Sequence, residues 1–162
     1  MSNQNMFVKI AIDNWQSQVN AFNSMLDKLS DEQLLEEIAP SKNRGIYLLG
    51  HLIAVHDRML PLLRFEDAKY PGLKPLFIDA PDKTIQDIPA TSQLRAQWKE
   101  VNEKLSAHYK TLSPDQWLER HASVSPEDFE KEPNRNRLNV LVGRTNHLSY
   151  HGGQLALLVK KN

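Results

Sequence analysis

Residues 136–158 read NRLNVLVGRTNHLSYHGGQLALL. Leu141, Leu148 and Leu155 recur at heptad spacing, which a helix gathers into one stripe. Along the flank of that stripe runs a polar row, Arg144, His147, His151 and Gln154. Residues four apart lie about 40° apart on a helix, so His147 and His151 point the same way and can share one ligand. That spacing is the helical half of a zinc site. The metalloprotease form is absent, because no Glu follows the first His in HLSYH. From spacing alone two readings stay open: a metal site, or two half-exposed imidazoles at the edge of a core. Gly152 and Gly153 each cost a helix interior about 1 kcal/mol relative to Ala. Since QLALLVKK continues helical beyond them, their missing side chains are expected to leave room beside the histidines, for a neighbouring helix or a substrate.

Three further segments share the helical period. Phe7, Ala11, Trp15, Phe22, Leu26 and Leu29 mark the first. Leu48, Leu52, Val55, Met59 and Leu62 mark a second over about residues 44–65. Leu94, Trp98, Val101, Leu105, Tyr109 and Leu112 mark a third. Alternating β-branched runs are lacking, which argues against a sheet. LSDEQLLEEI and LSPDQWLERH each offer a capping box, Ser30 with Gln33 and Ser113 with Gln116. Pro114 suits a first helical turn, where an N–H would have no partner anyway. NRGIYLLGHL and NRLNVLVGRTNHL look alike, a weak internal duplication. Residues 64–90 carry Pro71, Pro75, Pro81 and Pro89, too long for a bundle hairpin and too rich in proline for one helix. SVSPEDFEKEPNRN forms a second insertion with room for one helical turn. The expectation is a single all-α domain over residues 1–162, a four-helix bundle with a long crossover connection.

Composition narrows the function classes. Twenty basic and twenty acidic side chains cancel, so no overall field argues for nucleic acid or an anionic membrane. The chain has no cysteine, which excludes thiolate metal sites and a cysteine nucleophile. The start, MSNQNMFVKIAIDNW, lacks the continuous apolar stretch of a signal peptide, and no run approaches the roughly 20 apolar residues of a membrane span. A cytoplasmic location is expected.

The second helix offers His51 and His56. Five residues apart, they point about 140° from each other and cannot serve one ion from one helix. His51 lies at the edge of its apolar stripe, as His147 does. His56 lies nearer the middle, where a hydrogen-bonded core histidine is expected. Pairing GHL with NHL through the duplication favours His51 again. His108 and His121 have no partner at useful spacing and are expected to be solvated or interfacial. Tyr47 and Arg58 fall beside His51 on the helical wheel, where they could contact substrate, with packing and solvation as the more expected role.

At LSDEQLLEEI, LLGHLIAVHDRML and TNHLSYHGGQLALL the sequence resembles the DinB/YfiT-like superfamily of metal-dependent enzymes. His-x-x-x-His-x-Gly-Gln is the more specific part of the match. The resemblance implies a four-helix bundle with a divalent ion on three histidines, one from the second long helix and two from the fourth. Carried over, these are His51, His147 and His151. Three neutral imidazoles suit zinc or nickel and leave an open coordination position. Gln154 is the candidate catalytic residue, orienting His151 or a bound water. Relatives include thiol S-transferases and a thiol-dependent isomerase, which implies a small-molecule substrate and a low-molecular-weight thiol; a metal-dependent hydrolase and a non-enzymatic binding or stress-associated bundle are the alternatives. The resemblance also implies a homodimer. The long crossover and the insertion before the last helix depart from the family pattern, which leaves the substrate open.

Overall fold

The computed structural model describes residues 3–159. It contains α1 (Asn3–Leu26), α2 (Asp31–Leu34), α3 (Gly45–Asp57), α4 (Met59–Leu62), a π-helical turn (Pro75–Asp79), α5 (Thr91–Tyr109), α6 (Pro114–Trp117), α7 (Pro126–Lys131), α8 (Arg137–Leu155) and a closing 3-10 turn (Ala156–Leu158). The fold is all-helical, with no strand among the described residues. α1 packs on α8 and α3 on α5, while α3·α8 and α1·α5 contacts close the four-helix bundle.

The core is built from the expected stripes. Leu141, Leu148 and Leu155 are fully buried, as are Leu94, Trp98, Val101, Leu105 and Tyr109 on the facing side. One assignment is corrected. Phe7 is 67% exposed, and the neighbouring Val8 is the side chain that α1 buries.

Both capping boxes form. The Ser30 and Ser113 hydroxyls accept from the backbone N–H of Gln33 and Gln116, whose side chains accept from the serine N–H in return. The duplication is visible in the backbone too. Isolated bridges join Glu37 to Arg44 and Arg120 to Asn136, just before α3 and α8. The N–H of Gly45 donates to Glu36 O, and that of Arg137 donates to Glu119 O, at equivalent distances of 3.1 and 3.0 Å. These bonds make Gly45 the counterpart of Arg137, so His51 corresponds to Gly143. The matching of GHL with NHL is therefore one helical turn out of register.

The second helix is shorter than its periodicity suggests. Pro61 has no N–H to give, and its ring would crowd the carbonyl of Asp57 four residues back, so α3 stops there. The freed chain forms the single turn of α4 and then reverses through Arg64, whose φ is 60°. The Asp57 carboxylate, now buried, accepts from the backbone N–H of Lys69 and Tyr70, both at 2.8 Å. Those bonds anchor the start of the crossover.

From there the crossover folds back along α3. Arg44 grips Asp82, and the Tyr47 hydroxyl donates to Ala80 O at 2.8 Å. Gly50 makes this approach possible, since a Cβ there would lie 2.5 Å from the Phe77 ring. Any side chain at Gly50 would push the π-helical turn off α3.

Candidate metal centre

α3 and α8 each bring histidine to their contact. His147 and His151 sit one turn apart on α8, and His51 faces them from α3. The His147 Nε2 lies 3.2 Å from His51 Nε2 and 3.1 Å from His151 Nε2. One ligand atom from each of the three lies within 4.8 Å of the others, which makes the cluster compatible with a metal ion. The sequence-derived trio is thus brought together by the fold.

The far side of each ring decides what the near side offers. His51 Nδ1 lies 2.8 Å from the Phe77 carbonyl oxygen, which only accepts, so the proton sits on Nδ1 and Nε2 presents a lone pair. His151 Nδ1 lies 2.7 Å from Gln154 Oε1, while the Gln154 amide nitrogen donates to the Tyr150 hydroxyl. That leaves His151 Nε2 a lone pair as well. His147 Nε2 stands between the two and can give one proton to one of them. A neutral trio therefore keeps at least one lone pair facing another. A cation at the centre would turn all three into ligands.

Protonation is a poor alternative. Burial first, then His151, His51 and Arg144, depress the His147 pKa to about 4. The His151 pKa is lowered by burial and by His51, partly offset by its bond to Gln154. Metal binding needs neutral imidazole, and these two rings are held neutral. The spacing fits as well. Ligand nitrogens about 2.0–2.1 Å from one ion at tetrahedral angles lie about 3.3–3.4 Å apart. The two Nε2–Nε2 contacts come within a few tenths of an ångström of that.

His56 takes the core role expected for it. It is fully buried, its Nδ1 donates to Asn102 Oδ1 at 2.9 Å, and Trp15 and Trp98 flank its ring. Burial drives its pKa down to about 3. His108 bonds Glu66 and stacks on Phe65, and His121 accepts from the Ser123 N–H. Neither joins the cluster.

The glycine pair does not open the site. A Cβ at Gly153 would meet nothing within 4 Å, and Gly153 is exposed; a Cβ at Gly152 would touch Phe22 of α1 at 3.6 Å, an ordinary contact. Space beside the cluster lies elsewhere, in a cavity of about 590 Å³ that reaches His51 and His147 and is walled by Val55, Leu62 and Ile78. The Phe77 carbonyl was missed in the sequence. Its only trace there is the glycine directly before His51, which marks a close approach without naming what approaches.

Comparison with protein-family models gives a match to the DinB superfamily over residues 15–155. No curated protein matches the chain. The family match spans most of the sequence and all three histidines, and the chain belongs to the DinB superfamily.

Proposed function

We propose that the protein is a metal-dependent enzyme that holds one divalent ion, zinc or nickel, on the Nε2 atoms of His51, His147 and His151. The observation that carries this is the convergence of three imidazoles whose outer nitrogens are tied back or buried. His51 is fixed by Phe77 O, His151 by Gln154, and His147 Nδ1 is buried without a hydrogen-bond partner among the described residues. Gln154 is a positioning residue in this reading, because it meets the ligand ring and not the open position.

The reaction we favour is thiol transfer to an electrophilic small molecule. A divalent ion with an open position stabilises the thiolate of a bound thiol near neutral pH. What this chain adds supports that choice. No carboxylate among the described residues lines the cavity beside the histidines, so the general base that hydrolysis would call on has no evident source there. Val55, Leu62 and Ile78 supply an apolar wall for an organic substrate, and the neutral rings leave the ion its full charge.

Metal analysis of protein purified without an affinity tag, beside His151→Ala, tests the first part. The expected result is one equivalent in the parent chain and none in the variant, with full content in His108→Ala. Incubating metal-loaded protein with a small thiol and a reactive electrophile tests the second. Metal-dependent conjugate formation is expected. Ester hydrolysis that needs no thiol would replace the transferase reading with the hydrolase, and a chain without bound metal would favour a binding module.

A further inference from the structure

The cavity beside the histidines carries more positive charge than the three imidazoles explain. Arg58, the residue that caps α3, and Arg144, one turn before His147 on α8, both line it. No Asp or Glu does. In a chain whose charges cancel overall, two arginines line one opening and no acid lines it with them.

Arg44 pairs with Asp82, Arg95 with Asp31 and Arg137 with Glu119. Arg58 and Arg144 take part in none of the ion pairs or side-chain hydrogen bonds of the described residues. Lack of an ion pair is shared by Arg64 and Arg135 among the described residues, but the cavity that Arg64 lines also holds Glu119 and Glu130. Three acids are already engaged elsewhere. Asp57 accepts from Lys69 and Tyr70, Glu66 meets Lys104 and His108, and Glu119 meets Arg137. Burial and the proximity of Arg58 both pull the Arg144 pKa below its ordinary value, so the folded chain holds two like charges against their repulsion. An anion placed between them would relieve it.

We propose that Arg58 and Arg144 form the anchor for an oxyanion, a carboxylate or phosphate group, on the substrate whose other end reaches the His51/His147/His151 cluster. This rests on the metal-dependent reading for the second half of that statement and not for the first. Guanidinium forks match the paired oxygens of both groups and bind them bidentately. Val55, Leu62 and Ile78, which line the same cavity, suit the carbon body that joins the two ends. The substrate class is therefore an organic acid or phosphate ester, and neutral molecules of the same shape are excluded.

Two measurements separate the arginine site from the metal site. Ligand-observed NMR on metal-free protein follows propionate, methylphosphonate and the neutral isostere propionamide. Propionate or methylphosphonate should bind, and the Arg58→Gln/Arg144→Gln double variant should weaken it at least tenfold. The tighter of the two identifies the anion as carboxylate or phosphate type. Cobalt(II)-loaded protein should then enhance the relaxation of the bound probe's protons, and the double variant should lose that enhancement at unchanged cobalt content. Propionamide binding as well as propionate, or the double variant holding both anions as tightly as the parent, would overturn the proposal. Loss of cobalt binding with anion binding intact would instead strike the metal reading and leave the anion site standing.

Discussion

The bundle has two cavities of about 590 Å³ each, and they differ in chemistry rather than in size. One lies between α1 and α5. There Arg95 donates to Asp31, to Leu26 O and to Leu29 O, closing the end of α1. Trp98 Nε1 donates to Asn23 Oδ1, and Ser106 donates to Gln16. Asp27 and Glu103 line that groove together with Lys99 and Lys110, and Asp31 answers Arg95, so its charges balance. The other lies beside the histidines, where Arg58 and Arg144 face no acid and three nitrogens point at one another. Volume alone would not choose between them. Cavity-lining groups that the fold leaves without partners do, because a ligand entering there can supply the missing bonds and charge.

The sharpest test of that contrast concerns Gln154. If the outer nitrogen of His151 is held by Gln154 to aim the inner one, Gln154→Ala should weaken metal affinity by roughly 10–100-fold, the usual effect of removing an outer partner of a ligand histidine. Competition with a chelating dye would read it. Gln16→Ala, in the balanced groove, should leave affinity unchanged. Equal affinities for Gln154→Ala and the parent chain would mean the amide is only a helix-flank hydrogen bond.

Next in size comes a difference in stability. Arg95→Met removes two charge-assisted bonds to backbone carbonyls and should destabilise metal-free protein by about 1–2 kcal/mol; the Asp31 pair, partly exposed, adds little. Arg144→Met removes a cation whose charged neighbours are all of one sign and should cost nothing, or raise stability by under about 1 kcal/mol. Urea titrations of the two variants check both signs. A clear loss of stability in Arg144→Met would show that Arg144 has a structural partner, and the two cavities would then be alike.

Much of this contrast is legible in the sequence, and the reason is range. A capping box needs only three residues, so Ser30/Gln33 and Ser113/Gln116 announce themselves. An i,i+4 pair needs one helical turn, so His147 and His151 do too. His51 was separable from His56 because a helix aims residues five apart in different directions. What could not be read depends on distant chain coming back. The Phe77 carbonyl reaches His51 only because the crossover returns along α3, and no local pattern encodes that. The isolation of Arg58 and Arg144 is a statement about every acid in the fold. Register across the duplication failed for the same reason: hydrogen bonds between Gly45 and Glu36, and between Arg137 and Glu119, set it, and matching letters do not. Pro61 is a different case, since the signal for ending α3 early stood in the sequence and the apolar stripe on either side masked it.

The smallest expected effect returns to the adjacent glycines after His151. Inside a helix each forgoes about 1 kcal/mol relative to Ala, chiefly through backbone entropy. Were they there to make room at the histidines, an added methyl would intrude on the cluster. The structure points them elsewhere: a Cβ at Gly153 meets nothing within 4 Å, and one at Gly152 makes an ordinary contact with Phe22. Gly153→Ala should therefore raise stability by about 1 kcal/mol, and Gly152→Ala by somewhat less because the methyl must share space with the Phe22 ring. Metal content and anion binding should stay at parent values in both, since the cavity lies along Arg144 and His147 and not along residues 152–153. Calorimetric unfolding of the metal-free chain measures the first, and dye competition measures the second. A Gly153→Ala variant that gains no stability, or loses metal, would mean the glycine side of α8 belongs to the site. The contrast between the two cavities would then have to be redrawn around a third region.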